Sequence, residues 1–227
     1  MERTNSDNLG YFGTYPAPMW EGMMAKHPGD KLNATTPYYG PLLYWLCWCA
    51  QGGNVLELGV SFGWTGGFLA NAVKDINTRH GTANKYVGVD IIDLADVEAK
   101  FKAQDLPATL ITSDSIEWLE SQTLLAPGSV NVAFVDDLHN TDHIVREVEL
   151  VYPLLQGGGN GYMIHHDTYD LSEMGDKAVR EDPRYEWEVV RFFPNYGLTL
   201  YRKMEGYDHN KVYRPEGDQE PYEKGKG

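Results

Sequence analysis

Polar residues able to bind a ligand or move a proton recur at one kind of place in this chain, directly after short apolar runs. Gly59-Val60-Ser61-Phe62-Gly63-Trp64-Thr65 follows Val55-Leu56-Glu57-Leu58, and Asp90 closes Tyr86-Val87-Gly88-Val89. Ser113 and Asp114 follow Ala108–Thr112, Asp136, Asp137 and His139 follow Val130–Val135, and His166, Asp167 and Thr168 follow Tyr162–His165. The apolar runs read as buried strands. Ligands of open parallel sheets bind outside the carboxyl ends of the strands, so this register is the one a cofactor pocket requires.

The chemistry of the individual groups supports that reading. Gly59 and Gly63 let the backbone approach a ligand where a Cβ would intrude. An ionised carboxylate at Asp90 only accepts hydrogen bonds, which suits a pair of ribose hydroxyls. Glu57 sits on the first strand in a Glu-x-Gly-x-x-x-Gly spacing, where it would receive a ligand ammonium or orient the glycine turn. A carboxylate there repels a pyrophosphate, and G-x-G-x-x-G is missing, which argues against NAD.

The elements that must position these groups alternate. A helix is expected from Pro41 to about Ala50, with Thr36–Gly40 as a turn and Pro41 in the first helical turn. Strands at Val55–Leu58, Tyr86–Asp90, Ala108–Thr112, Val130–Val135 and Tyr162–His165 are separated by helices over Thr65–Thr78, Leu94–Gln104, Ser115–Ser121 and Asp142–Leu155. The last of these helices turns Ile144, Val145, Val148, Val151, Leu154 and Leu155 inward, and Pro153 should disturb its final turn. After a helix near Leu171–Arg180, Tyr185–Phe193 and Gly197–Arg202 form an antiparallel pair joined through Pro194-Asn195. The fold class is therefore α/β, Rossmann-like and doubly wound, with a mostly parallel seven-strand sheet and an antiparallel last strand. Residues 1–39 form an N-terminal segment, rich in aromatic residues and methionine, that would act as a lid or a dimer contact. Residues 40–203 form the domain, and 204–227 a polar tail.

Composition narrows the partners. A chain of 227 residues with a formal charge of −14 repels phosphate backbones, so nucleic acid is excluded as an expected partner. The longest apolar stretch, Pro41–Ala50, is too short to cross a bilayer, and the N-terminus lacks a signal-peptide core. With only two cysteines, Cys47 and Cys49, expected as buried thiols of one helix, a reducing cytoplasm is the expected location.

The ordered set ELGVSFGWT, YVGVD, TSDS, VAFVDDLH, LLQGGGNGYMIHHDT and YGLTLYRK resembles the class I S-adenosylmethionine-dependent methyltransferases. It is most similar to their small-molecule O-methyltransferase branch, with the catechol and caffeoyl-CoA enzymes and the cephalosporin hydroxylase and macrolide-sugar methyltransferase relatives. The resemblance covers roughly residues 40–203 and implies S-adenosylmethionine as cofactor and a small-molecule methyl acceptor. It implies that Glu57, Gly59, Ser61, Gly63 and Thr65 hold the methionine part, Asp90 the ribose, and Ser113 and Asp114 the adenine, with Asp136 near the methyl donor. In metal-dependent members, the positions of Asp136 and Asp167 bind Mg²⁺. Here His166 and Thr168 flank Asp167, so the oxygen set is incomplete, and a Asp136–His166–Asp167 set would favour a softer divalent ion or none. His139 falls where relatives place a Lys or His beside the acceptor, and is the candidate general base, with Asp136 as its catalytic neighbour.

Structural alternatives stand beside these roles. Asp137 reads as a cap for the helix beginning near Thr141, and His165 as a strand residue facing a helix. A non-catalytic S-adenosylmethionine-binding protein, or a related enzyme of hydroxylase-like sugar or antibiotic tailoring, remains the alternative function. A homo-oligomer is compatible with the sequence.

Overall fold

The computed structural model describes residues 36–50, 52–169, 171–192 and 197–207. Residues 1–35 of the expected lid, most of the expected polar tail and the Pro194-Asn195 link lie outside the described residues. The chain runs α1 (Thr36–Cys49), β1 (Asn54–Leu58), α2 (Trp64–His80), β2 (Tyr86–Asp90), α3 (Ala95–Ala103), β3 (Ala108–Thr112) and α4 (Ser115–Ser121). It continues through β4 (Val130–Val135), α5 (Thr141–Val151), a 3-10 turn at Tyr152–Leu154, β5 (Gly161–His166), α6 (Glu173–Glu181), β6 (Trp187–Phe192) and β7 (Leu198–Lys203).

The strands form a seven-stranded sheet in the order β3-β2-β1-β4-β5-β7-β6. The pairs from β3 to β5 are parallel, and β7 is antiparallel to both β5 and β6. The order reverses between β1 and β4, which opens a crevice at their carboxyl ends. Those ends are tied together: Gly59 N–H donates to the Val89 carbonyl, and Asp136 N–H to the Leu58 carbonyl, each at 2.9 Å.

Side chains alternate across the sheet, so each face buries its own core. Val55, Tyr86, Val132 and Ile164 pack against Leu43 and Cys47 of α1 and Leu69, Val73 and Ile76 of α2. Leu56, Leu58, Val87, Ala133 and Met163 pack against Trp118 of α4 and Ile144, Val148 and Val151 of α5. Full burial of each such aliphatic side chain contributes about 1.5–3 kcal/mol.

Three local expectations are corrected. Thr36–Gly40 is helical rather than a turn, and Pro41 lies inside α1. The reason is tertiary: Tyr39, Leu43, Cys47 and Ala50 form one buried stripe that begins upstream of the proline. That packing outweighs the lost helical hydrogen bond. Cys49 is exposed, not buried, because two positions beyond Cys47 turns it about 200° around the helix. The cap of α5 is Asn140, whose side-chain oxygen accepts from the Asp142 and His143 amides, and not Asp137. The helix gives way to a 3-10 turn at Pro153. Among the described residues, no helix is long and apolar enough to cross a membrane.

Candidate functional site

The glycine turn after β1 is built around Asp90. Its Oδ2 accepts the Ser61 amide at 2.7 Å, and its Oδ1 the Ile92 amide at 3.0 Å. Each carboxylate oxygen has a second lone-pair direction, so Asp90 can still accept from a ligand. Ser61 holds a left-handed conformation, φ 49°, as part of this loop. Gly59, at φ 88°, lies so close to the end of β4 that an added Cβ would stand 2.1 Å from the Asp136 carbonyl oxygen. Gly63 is the left-handed N-cap of α2, and a Cβ there would meet Val97 at 2.5 Å. Thr65 follows in the first turn of α2, half-buried.

Ser113 N–H donates to the Asp90 carbonyl, which brings β3 to the same edge. Asp114 caps α4 by accepting the Glu117 amide at 3.0 Å. Glu57 stands apart from these groups. It is fully buried on the α2 side of the sheet, and the Tyr86 hydroxyl hydrogen-bonds its carboxyl. Burial pushes the Glu57 carboxyl well above its ordinary range. The geometry therefore fits the loop-orienting alternative better than direct contact with a ligand ammonium.

A second cluster occupies the ends of β4 and β5. His139 Nε2 lies 3.1 Å from Asp167 Oδ2, and its Nδ1 lies 2.9 Å from Ser172 Oγ. The bond to Asp167 raises the affinity of His139 for a proton. His166 Nδ1 hydrogen-bonds Asp136 Oδ1 at 3.0 Å and makes an ion-pair contact of 2.9 Å with Asp167 Oδ1. Burial opposes the charge of His166, but Asp136 and Asp167 outweigh it and pull the imidazole up to about 9. Burial also opposes the charge of Asp167, yet His139 and His166 hold it well below the ordinary carboxylate range. Asp167 itself has φ 56°, a strained position for a residue with a side chain, of the kind found at functional sites.

The donor atoms of Asp136, His139 and Asp167 lie within 4.8 Å of one another, close enough to share one ion. Two carboxylates and an imidazole suit a borderline divalent cation. His166, named in the expected set, is replaced by His139 in this grouping. Its Nδ1 is taken by the two aspartates, its Nε2 is buried without a hydrogen bond, and its ring packs edge-on against Tyr39 at 5.4 Å. His165 turns to the opposite face, 3.7 Å from Asp176 of α6, as expected of a strand residue facing a helix.

Sequence reasoning missed Ser172, for which no motif exists. It also missed that Asp137 meets His143 Nε2 at 3.3 Å, with Glu147 Oε1 3.4 Å from the same nitrogen. The signal was present: His143 and Glu147 are spaced i, i+4, and Glu147 interrupts the apolar face of Ile144, Val148 and Val151. Burial pushes Glu147 up to about 8.

Residues 56–168 match a family model described as a methyltransferase domain. No curated protein sequence matches the chain. Among solved structures, the SAH-bound methyltransferase PaMTH1 from Podospora anserina is 16% identical with a TM-score of 0.64, covering 89% of this chain and 98% of that one. A methyltransferase from Geobacter sulfurreducens is 17% identical with a TM-score of 0.62, covering 90% and 98%. The O-methyltransferase TomG from Streptomyces achromogenes, involved in tomaymycin synthesis and solved in complex with SAM, is 14% identical with a TM-score of 0.63, covering 88% and 95%. At such identities the structural likeness establishes the fold.

Proposed function

We infer that this chain, whose residues 56–168 match the methyltransferase-domain family model, is a class I S-adenosylmethionine-dependent methyltransferase that acts on an oxygen of a small molecule. The observation that carries the reading is the junction of the two clusters at Gly59 and Asp136. The glycine there leaves no room for a side chain, so the donor loop and the acidic end of β4 abut across the switch point.

S-adenosylmethionine supplies a methyl group on a sulfonium, transferred by in-line displacement. Asp90 receives the ribose hydroxyls while it holds the Ser61 amide, so one carboxylate both shapes the loop and binds the sugar. Ser113 and Asp114 border the adenine side. Asp136 would bring negative charge to the methyl-donor end of the crevice. Fixing donor and acceptor in line accounts for much of the acceleration such a reaction needs.

Asp136, His139 and Asp167 form the acceptor end. They would hold a divalent ion, which when bound lowers the pKa of an acceptor hydroxyl. A second reading rests on the His139–Asp167 pair, an imidazole oriented by a carboxylate, with His139 taking the acceptor proton. Leu138, Leu171 and Met174 are exposed around this end and favour an acceptor with an apolar portion.

The test is donor turnover, read as S-adenosylhomocysteine (SAH) formed from S-adenosylmethionine against a panel of phenolic, sugar and amine acceptors, with and without chelator. Turnover only with hydroxyl acceptors, lost with chelator and restored by a divalent ion, is the expected result. Turnover that survives chelation but is lost in His139→Ala supports the base reading. Turnover untouched by His139→Ala, Asp136→Asn and Asp167→Asn would contradict both.

A further inference from the structure

A second group of side chains lies behind the crevice, on the α4–α5 face of the sheet. His143 Nε2 is surrounded by three oxygens: Ser115 Oγ at 3.2 Å, Asp137 Oδ2 at 3.3 Å and Glu147 Oε1 at 3.4 Å. Glu147 is fully buried, and neither of its carboxylate oxygens makes a hydrogen bond. A buried carboxyl without a hydrogen bond is costly, and its nearest basic group, His143 Nε2 at 3.4 Å, stands too far off to give it a good one.

The distances say what would compensate it. A charge-assisted N–H···O bond closes to about 2.7–2.9 Å. One Nε2 hydrogen also has a single direction and cannot serve three acceptors well. Four ligands bonded at about 2.0–2.1 Å to a tetrahedral ion stand about 3.3 Å from one another. The three separations from Nε2 match that spacing and exceed the length of a charge-assisted bond. The donor atoms of Asp137, His143 and Glu147 also lie within 4.8 Å of one another. Two carboxylates neutralise a divalent charge, which lowers the cost of holding an ion in a mostly buried place. One imidazole with carboxylate and hydroxyl oxygens is a donor set for Zn²⁺ rather than for Mg²⁺.

We propose that Asp137, His143 and Glu147, with Ser115 as the fourth ligand, form a structural Zn²⁺ site separate from the crevice. The ion would join α4, α5 and the segment between β4 and α5. Because Asp137 follows Asp136 directly, it would also stiffen the segment that carries Asp136 and His139.

The experiment uses tag-free full-length protein carrying His139→Ala/Asp167→Asn, which dismantles the crevice cluster. After exposure to Zn²⁺ and dialysis, metal content is read by atomic emission, and the coordination of a Co²⁺ substitute by visible absorption. The expected result is a single retained Zn²⁺ per chain, tetrahedral Co²⁺ bands and a higher Tm with the ion. Adding Glu147→Gln should abolish all three, and so should Asp137→Asn, a same-sized change at the least buried of the three side chains that serves if Glu147→Gln fails to fold. Failure of the crevice variant to retain Zn²⁺, or equal retention after Asp137→Asn or Glu147→Gln, would overturn the proposal.

Discussion

The Tyr86 hydroxyl reaches across Gly88 to the carboxyl of Glu57, its neighbour one strand away, and both side chains are fully buried. Gly88 stands opposite Glu57 in the strand register, and a Cβ on it would meet the Tyr86 hydroxyl at 2.6 Å. A Cβ on Gly66 would meet the same hydroxyl at 2.4 Å and Glu57 at 2.7 Å. Two glycines thus make room for one buried polar pair directly below the glycine turn.

Removing the phenol hydroxyl leaves the Glu57 carboxyl without a partner. Tyr86→Phe should destabilise the protein by about 1–3 kcal/mol in urea unfolding, the cost of an orphaned buried polar group. Stability unchanged in that variant would mean the pair is not formed.

The same pair sets a pH dependence. Glu57 has its folded value raised well above 4.5, so the folded state holds the proton more tightly than the unfolded chain. Its contribution is complete below the unfolded value and is lost as the pH rises from there. Relative to Glu57→Gln, the wild type should therefore lose stability as the pH increases above 4.5. Parallel stability curves for the two proteins would contradict the assignment.

Gly59→Ala places a methyl group against the Asp136 carbonyl at a φ of 88°. The loop must move, and SAH affinity should fall by about tenfold or more, roughly 1.4 kcal/mol. Calorimetry on the folded variant reads this directly, and unchanged affinity would separate the turn from the donor site.

The cysteines offer a test of α1. Cys47 is buried and its thiol is pushed up to about 12 by burial, while Cys49 is exposed. A thiol-reactive disulfide reagent should label Cys49 in the native protein and Cys47 only after unfolding. Labelling of both at equal rates would show that the helix does not pack on α2 as described.

Much of this was legible in the residues, and each exception has its own cause. The strands β2, β3 and β4 and the helix α4 fall on the expected boundaries, because continuous apolar runs bounded by turn residues admit few alternatives. The tight glycine turn after β1 was legible because its glycines stand where a Cβ would intrude. Pro41 was misread because packing between elements decided it, whereas Cys49 follows from its position around the helix and the cap of α5 from the nearer side chain of Asn140. For Glu57 the sequence left contact with a ligand ammonium and orientation of the turn both open, since nothing local reveals that Tyr86 reaches it from the next strand. The exchange of His139 for His166 in the ion-sized cluster likewise depends on tertiary structure: His139 comes from the segment after β4, while His166 at the end of β5 sets its ring against Tyr39.

The account rests most heavily on Asp90 as the sugar-binding carboxylate of an S-adenosylmethionine site. Calorimetric titration of SAH into the wild type and Asp90→Asn tests it directly. Losing a charge-assisted hydrogen bond costs about 1.5–3 kcal/mol, so affinity should fall by about 10- to 100-fold in the variant while the fold is retained. A wild-type protein that does not bind SAH, or a variant that binds it equally well, would contradict the account.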